Sequence, residues 1–342
     1  MVVRMKDIAR DLGVSVVTVS KVLRNHSDIS AETRERVLKR VKELNYRPNL
    51  AARALVTGRT NMVGLVVPDL VHPFFAEVAK GISSVLRKKG YGLVISSSEE
   101  DPELERQEID DLLARRMDVL ILASTQWTVE AFRRIESLNT PYVLIDRKFT
   151  GLASHFVGVD DERVGAMATK HLIEQGCRRI AHIRGRETSP AIGRFEGYRR
   201  ALREHGLAFD SRYVVTGSSA DDAGEVSGYR AMQRLLDLEK WPDAVFCFND
   251  SIALGAMKAI FEAGLNVPKQ IAIVGCGNFS YTGLLRVPLT TVDQQSSAIG
   301  VEAAKLALRA ARAKKPIRPK EILLEPKLVA RASSLKKSSA KR

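Results

Sequence analysis

Several residues of this chain carry side chains suited to holding a small polar molecule, and they recur at similar places. His72, Pro73, Phe74 and Phe75 follow the apolar run MVGLVV; Asp146 ends PYVLID; Arg194 comes after RRIAHI and its loop; Asn249 and Asp250 follow DAVFCF. Aromatic rings offer a stacking face, while Asp, Asn and Arg offer paired hydrogen bonds to hydroxyls or an acid. Phe75 reads equally as helix core, and Asp250 reads better as a cap for the helix SIALGAMKAIF. Catalytic patterns are weak. No G-x-x-x-x-G-K-[ST] loop occurs, Ser280 stands where a dinucleotide fingerprint begun by Gly275 and Gly277 needs its third glycine, and His171, His182 and His205 read as helix or strand surface. The expectation is a binding protein and not an enzyme, with no cofactor and no metal.

The runs that end in these residues set the architecture. MVGLVV, YGLVIS, MDVLILA and PYVLID, then RRIAHI, RYVV, DAVFCF and IAIVG, read as buried strands. Helical patterns separate them at 74–89, 103–115, 128–138, 161–176, 194–206, 222–238 and 251–264. LTTVD, a helix at 296–313, EILLEP and KLVARA complete the series. Strands alternating with helices give parallel sheets covered on both faces. In such sheets ligands bind beyond the carboxyl ends of the strands, which is where the polar candidates lie. Two lobes are expected over 60–330, with the chain crossing near 160, 290 and 320.

The first 60 residues are different. They hold 13 Lys/Arg against six Asp/Glu, and residues 331–342 add five Lys/Arg with no acid, out of a net charge of +14. A basic head on a nearly neutral body suits a polyanion. In MKDIARDLGVSVVTVSKVL, Ile8, Ala9 and Leu12 form one apolar edge and Val19, Val22 and Leu23 another, with Gly13 between them and Ser15 placed as a cap. Small Ala9, turn-forming Gly13 and space-filling Val19 have helix-turn-helix spacing. Ser30 caps a third helix with a Val37, Val41, Leu44 stripe. The boundaries are 1–48 for this head, 49–59 for a linker, and 331–342 for a disordered basic tail. The three cysteines fit no metal spacing and read as buried thiols. No apolar run reaches a membrane span and no signal-peptide pattern occurs, so a cytoplasmic protein without membrane contact is expected.

GVSVVTVSKVL, SAETRERVLKRVKELNYRPN and NLAARALVTGRTNMVGLVVPD resemble the lactose/galactose repressor family of bacterial transcription regulators, and the resemblance continues along most of the chain. It implies an all-α helix-turn-helix head plus an α/β two-lobed body like a type I periplasmic binding protein. It implies a homodimer on a double-stranded, palindromic DNA operator, controlled by a small sugar-like effector. Residues 16–24 become the recognition helix, with Val16, Val17 and Lys21 at base-reading positions. Valines suit thymine methyls, and lysine suits guanine acceptors. Thr18 and Ser20 become candidates for phosphate. The linker becomes a hinge helix that orders on DNA, with Leu55 as minor-groove wedge and Ala52 and Asn49 beside it. The polar candidates in the body become effector contacts, and Asn278 joins them. The chain departs from the pattern at Arg4, where a hydroxyl cap is usual. It departs again in GCGN at 275–278, where Gly277 removes an acid many relatives carry.

Two other classes fit less of the chain. An exported solute binder leaves the basic head unexplained, and a DNA-binding protein without an effector leaves 270 residues of body unexplained.

Overall fold

The computed structural model describes residues 3–47, 54, 58–216 and 224–335. The chain divides into two compact units, Met1–Thr60 and Asn61–Arg342.

The first unit holds α1 (Met5–Leu12), α2 (Val16–Leu23) and α3 (Ala31–Glu43). Ile8, Ala9, Val19, Val22 and Val37 are its buried core. Gly13 turns the chain at φ +65°, a left-handed conformation that costs glycine little. The Ser15 hydroxyl accepts the Thr18 N–H at 3.0 Å and the Ser30 hydroxyl accepts the Thr33 N–H at 3.3 Å, so both serine caps form. Arg4 cannot cap by itself. Asp7 reaches back instead and accepts the Arg4 N–H at 2.9 Å. Arg40 bonds Asp11 at 3.1 Å through Nε, and Arg36 donates to the Leu12 carbonyl, tying α3 to α1.

The second unit consists of two six-stranded sheets. Its elements are β1 (Met62–Val67), α4 (Pro73–Lys88), β2 (Gly92–Ser97), α5 (Pro102–Ala114), β3 (Val119–Leu122), α6 (Glu130–Ser137), β4 (Tyr142–Ile145), β5 (His155–Val159), α7 (Asp161–Glu174), β6 (Ile180–Arg184), α8 (Ser189–Glu204), β7 (Val214–Thr216), α9 (Gly224–Leu236), β8 (Ala244–Cys247), α10 (Asp250–Glu262), β9 (Ala272–Cys276), β10 (Thr290–Asp293), α11 (Ser296–Arg312), β11 (Glu321–Leu324) and β12 (Lys327–Val329). The sheet orders are β11-β5-β4-β3-β1-β2 and β12-β10-β9-β8-β6-β7. All pairings are parallel except β10 with β12. The chain passes between lobes after β5, after β10 and after β11.

Four expectations need correction. β5 was not among the expected strands. His155 interrupts its apolar run and Gly158 weakens its strand propensity, yet every residue is buried. α8 begins at Ser189, five residues earlier than expected, with Pro190 in the first turn where a missing N–H does no harm. Residues 331–335 do not belong to a disordered tail. The Ser333 hydroxyl accepts the Thr290 N–H at 2.8 Å and donates to the Ile273 carbonyl at 2.7 Å, and Ser334 meets His171 Nε2 at 2.7 Å. Residues 336–342 lie outside the described ones. Finally, His171 and His182 are buried and not on the surface.

Three helix pairs meet through reciprocal glycines: Gly81 with Gly300, Gly165 with Gly197, and Gly228 with Gly255. A Cβ on any of them would run into the backbone of the facing helix, as Gly197 would into the Glu162 carbonyl. Gly197→Ala is therefore expected to destabilise the body by about 1–3 kcal/mol, read as a lower midpoint in denaturant, because backbone cannot yield as a side chain does.

Candidate DNA-binding face and effector cleft

On α2 the buried positions are Val19 and Val22, which turns Val16 and Val17 outward. Val16 is 43% exposed and Val17 62%. An apolar side chain left uncovered by the core is available to thymine methyls. Lys21 stands one turn beyond Val17 on the same face, and its ammonium forms an ion pair with Asp28. Thr18 shares a hydroxyl hydrogen bond with Ser15 at 2.9 Å, and Ser20 is half-buried beside it. Asn49, Ala52 and Leu55 lie outside the described residues.

In the body, His72 and Asn249 face each other from the two lobes. The Asn249 carboxamide oxygen accepts the Ile252 N–H at 2.9 Å and so caps α10. Its NH₂ end is then left to donate to His72 Nε2, 3.1 Å away. With Nε2 accepting, the neutral ring carries its proton on Nδ1, which is buried without a hydrogen-bond partner. Burial holds the His72 pKa below its ordinary value. The cap is thus Asn249 and not Asp250, correcting the expectation. The buried Asp250 carboxyl accepts from Thr291 Oγ1 at 2.6 Å and from the Phe279 N–H at 3.2 Å, and burial pushes its pKa up to about 6. A Cβ on Gly275 or Gly277 would meet that carboxyl. These glycines make room for the Asp250 carboxyl.

Phe74 and Phe75 are both buried, edge to face at 5.0 Å. Phe75 lies 5.7 Å from His72, whose edge meets Phe279 of the other lobe at 5.6 Å. Asp146 follows β4 in a left-handed conformation, φ +61°, with its carboxylate 3.8 Å from Arg147 Nε. Burial raises its pKa, opposed by Arg147 and Arg194. Arg194 sits within α8 and is buried. Nε donates to Asp161 at 2.9 Å, Nη1 to the Phe248 carbonyl at 2.6 Å and Nη2 to Gln294 at 2.7 Å, with the guanidinium 4.4 Å from the centre of the Phe248 ring. Desolvation outweighs the pull of Arg194 and pushes Asp161 up to about 6. Asn278 is the candidate the geometry favours least. Its NH₂ end donates to Asp293 at 3.1 Å and its oxygen accepts from Arg331 at 2.7 Å, so both ends of the amide are engaged.

The structure adds groups that sequence reading missed. Arg147 clamps Glu100 with two hydrogen bonds, at 3.0 and 2.6 Å, and Arg186 approaches the same carboxylate from the other lobe at 3.7 Å. Phe248 and Gln294 stand one residue beyond a strand and Arg147 two. The strand-end rule applied to every strand would have found them.

His182 is held face to face with Phe246 at 4.6 Å, its Nδ1 2.9 Å from the Phe246 carbonyl. The alternation R-I-A-H-I-R suggested a solvent face, but helices cover both faces of this sheet. Burial pulls the His182 pKa down to about 3. Between pH 3 and 6.5 the unfolded chain binds this proton and the folded chain does not, so the stability this ring allows is lost as pH falls below 6.5. The slope approaches about 1.4 kcal/mol per pH unit. His182→Phe is expected to flatten that acid limb in denaturant titrations at successive pH values.

Among the described residues no helix is long and apolar enough to cross a membrane. All three cysteines are buried and outside any disulfide.

Residues 4–49 match the profile of bacterial regulatory proteins of the lacI family, and residues 169–334 match the periplasmic binding protein-like domain. The HTH-type transcriptional repressor PurR of Actinobacillus pleuropneumoniae is 32% identical over 331 residues, 96% of this chain and 97% of that protein. The ribose operon repressor of Halalkalibacterium halodurans is 33% identical over 96% of each chain. Among solved structures, a Lac repressor dimer bound to operator and the anti-inducer ONPF superposes with a TM-score of 0.86 at 28% identity, over 98% of this chain and 100% of that one. With a basic three-helix head followed along the chain by a two-lobed body, the chain belongs to the lacI family of bacterial regulatory proteins, transcriptional repressors that join a helix-turn-helix DNA-binding domain to a ligand-binding domain.

Proposed function

We propose that the chain is a homodimeric cytoplasmic repressor that grips a near-palindromic operator and is switched by a small polar, sugar-like ligand between the lobes of its body. The outward placement of Val16 and Val17 carries the DNA half of this reading, since that helix turns Val19, Val22 and Leu23 toward the core. One head of three short helices contacts few bases, and two heads related by symmetry read both half-sites. The Lac repressor structure, a dimer on operator, supports the same assembly. Selection of bound sequences from a random double-stranded pool tests it. An inverted repeat is the expected product, and a pool without one would overturn the reading.

A mating surface is available on the body. Leu284 is 86% exposed and Phe261 of α10 is 45% exposed, beside a groove of about 450 Å³ lined by Leu254, Met257, Leu285 and Val287. Covering such a patch is favourable at roughly 25 cal/mol per Å². Leu284→Asp is expected to shift the chain toward monomer in sedimentation velocity and to weaken operator binding with it.

His72 Nδ1–H, Asp146 and the spare N–H groups of Arg194 give the cleft donors and an acceptor, and the Phe75, Phe279 and Phe248 rings give it apolar walls. That combination suits a hydroxylated ring compound, and one relative is named for a ribose operon. A thermal-shift screen of sugars and sugar derivatives against the full chain identifies the effector as a compound that raises Tm in proportion to its affinity.

A further inference from the structure

The acid at position 28 stands out on a face that meets a polyanion. Asp28 lies in the loop between α2 and α3, and the structure fixes where that loop goes. Asn25 takes a left-handed turn at φ +57°. Arg34 of α3 donates to the Asn25 side chain at 2.7 Å and to the His26 carbonyl. The Ser30 cap then starts α3. This path carries Asp28 back to Lys21, with which it pairs, and both side chains stay open to solvent: Lys21 is 36% exposed and Asp28 52%. A carboxylate facing DNA weakens attraction to every phosphate path. Its placement on the base-reading lysine suggests a gain in selectivity instead.

We infer that Lys21 and Asp28 read one base pair of each half-site as a joined donor and acceptor, with a keto base beneath Lys21 and an amino base beneath Asp28. The inference rests on the operator reading above. A lysine alone discriminates poorly. Its ammonium is a point donor on a flexible stem, equally served by guanine O6 and N7, thymine O4 or adenine N7. Pairing it with a carboxylate changes the pattern. Ammonium and carboxylate stand about one hydrogen-bond length apart, and so do the acceptor and donor facing each other across one base pair in the major groove. G·C offers O6 as acceptor opposite the cytosine N4 amino group; T·A offers O4 opposite the adenine N6 amino group. Either order satisfies both side chains. Reversed, C·G and A·T set the carboxylate against a carbonyl and the ammonium against an amino group. Guanine is preferred over thymine because N7 gives the ammonium a second acceptor.

The test selects sequences from a random double-stranded DNA pool with the full chain as wild type, Asp28→Asn, Asp28→Ala and Asp28→Glu at one salt concentration. The wild type is expected to enrich G, then T, at one symmetric position of each half-site, with C and A depleted about tenfold. Asp28→Asn presents an amide that can turn either way, and Asp28→Ala presents nothing. Both are expected to lose the depletion of C and A at that position alone and to keep the rest of the operator, while Asp28→Glu keeps the acid and the base order. Each neutral variant is also expected to bind unrelated DNA more tightly, with a salt slope steeper by about one, which shows that its head is folded. Unchanged base preference at every position in Asp28→Asn and Asp28→Ala, with only overall affinity altered, overturns the inference and leaves the operator reading standing. A wild-type pool without an inverted repeat overturns both.

Discussion

Arg194→Ala is expected to abolish the response to effector and to destabilise the body by about 3–5 kcal/mol, the range for removing one member of a buried ion pair. Arg194 meets Asp161, Gln294 and the Phe248 carbonyl, so truncation leaves three acceptors without this donor. The loss should depend on pH. Asp161 titrates near 6 in the folded chain, and without the guanidinium its pKa rises further. At pH 5 the carboxyl is protonated in either protein and the two differ least. The gap widens as pH rises through 6, where the wild type ionises beside Arg194 and the variant must ionise alone or keep its proton. Denaturant unfolding across that range reads the gap directly. Arg194→Lys separates the two effects, since it keeps a cation near Asp161 but loses the planar fork that reaches three partners. The change in operator affinity on adding effector should be lost in both variants. A change that persisted in Arg194→Lys and Arg194→Ala would move the effector site away from this arginine.

Leu55→Ala is expected to weaken binding to the selected operator about a hundredfold while leaving the unfolding midpoint of the body unchanged. The proposed operator reading has NLAARALVTG order on DNA and against the dimer mate, since isolated helices of about ten residues are marginal in water. An inserted leucine kinks the duplex at a cost of a few kcal/mol in unstacking, recovered through the wider contact that bent DNA makes. Alanine is too short to wedge. Gel shifts with the selected operator and with unrelated DNA measure the change, which should fall on the selected operator alone. Equal affinity of variant and wild type for that operator would remove the wedge from the mechanism.

The head was legible from spacing alone. Ala9, Gly13 and Val19 required a crossing of two short helices, Ser15 and Ser30 required caps, and Val16 and Val17 fell outside the apolar edge. Such relations reach only a few residues along the chain, and local backbone geometry enforces them. The lobes were legible too, because most parallel strands buried on both faces are near-continuous apolar runs, and ligand groups lie beyond their carboxyl ends.

Contacts between residues distant in the chain were not legible. Nothing local marks Asn249 and not Asp250 as the cap, since the choice depends on the space left by Gly275 and Gly277 and on Thr291 and Phe279. His182 looked polar and therefore exposed until α8 and the Phe246 ring covered it. Arg194 seemed a free hand for ligand, and the fold gave it Asp161, Gln294 and the Phe248 carbonyl as partners. Residues 331–335 read as tail by composition, yet hydroxyls at Ser333 and Ser334 are needed by Thr290, Ile273 and His171. The physical reason is common to all four. Sequence periodicity determines which face of an element is buried, whereas the partner of a buried polar atom depends on where other segments come to rest. Asn278, a candidate effector contact by position, is a strut between Asp293 and Arg331 once the strands are assembled. For this chain, then, the sequence by itself determined a helix-turn-helix head and a two-lobed body. Only the tertiary structure decided which cleft groups keep a hydrogen bond to offer, and it set the Asp28 carboxylate beside Lys21.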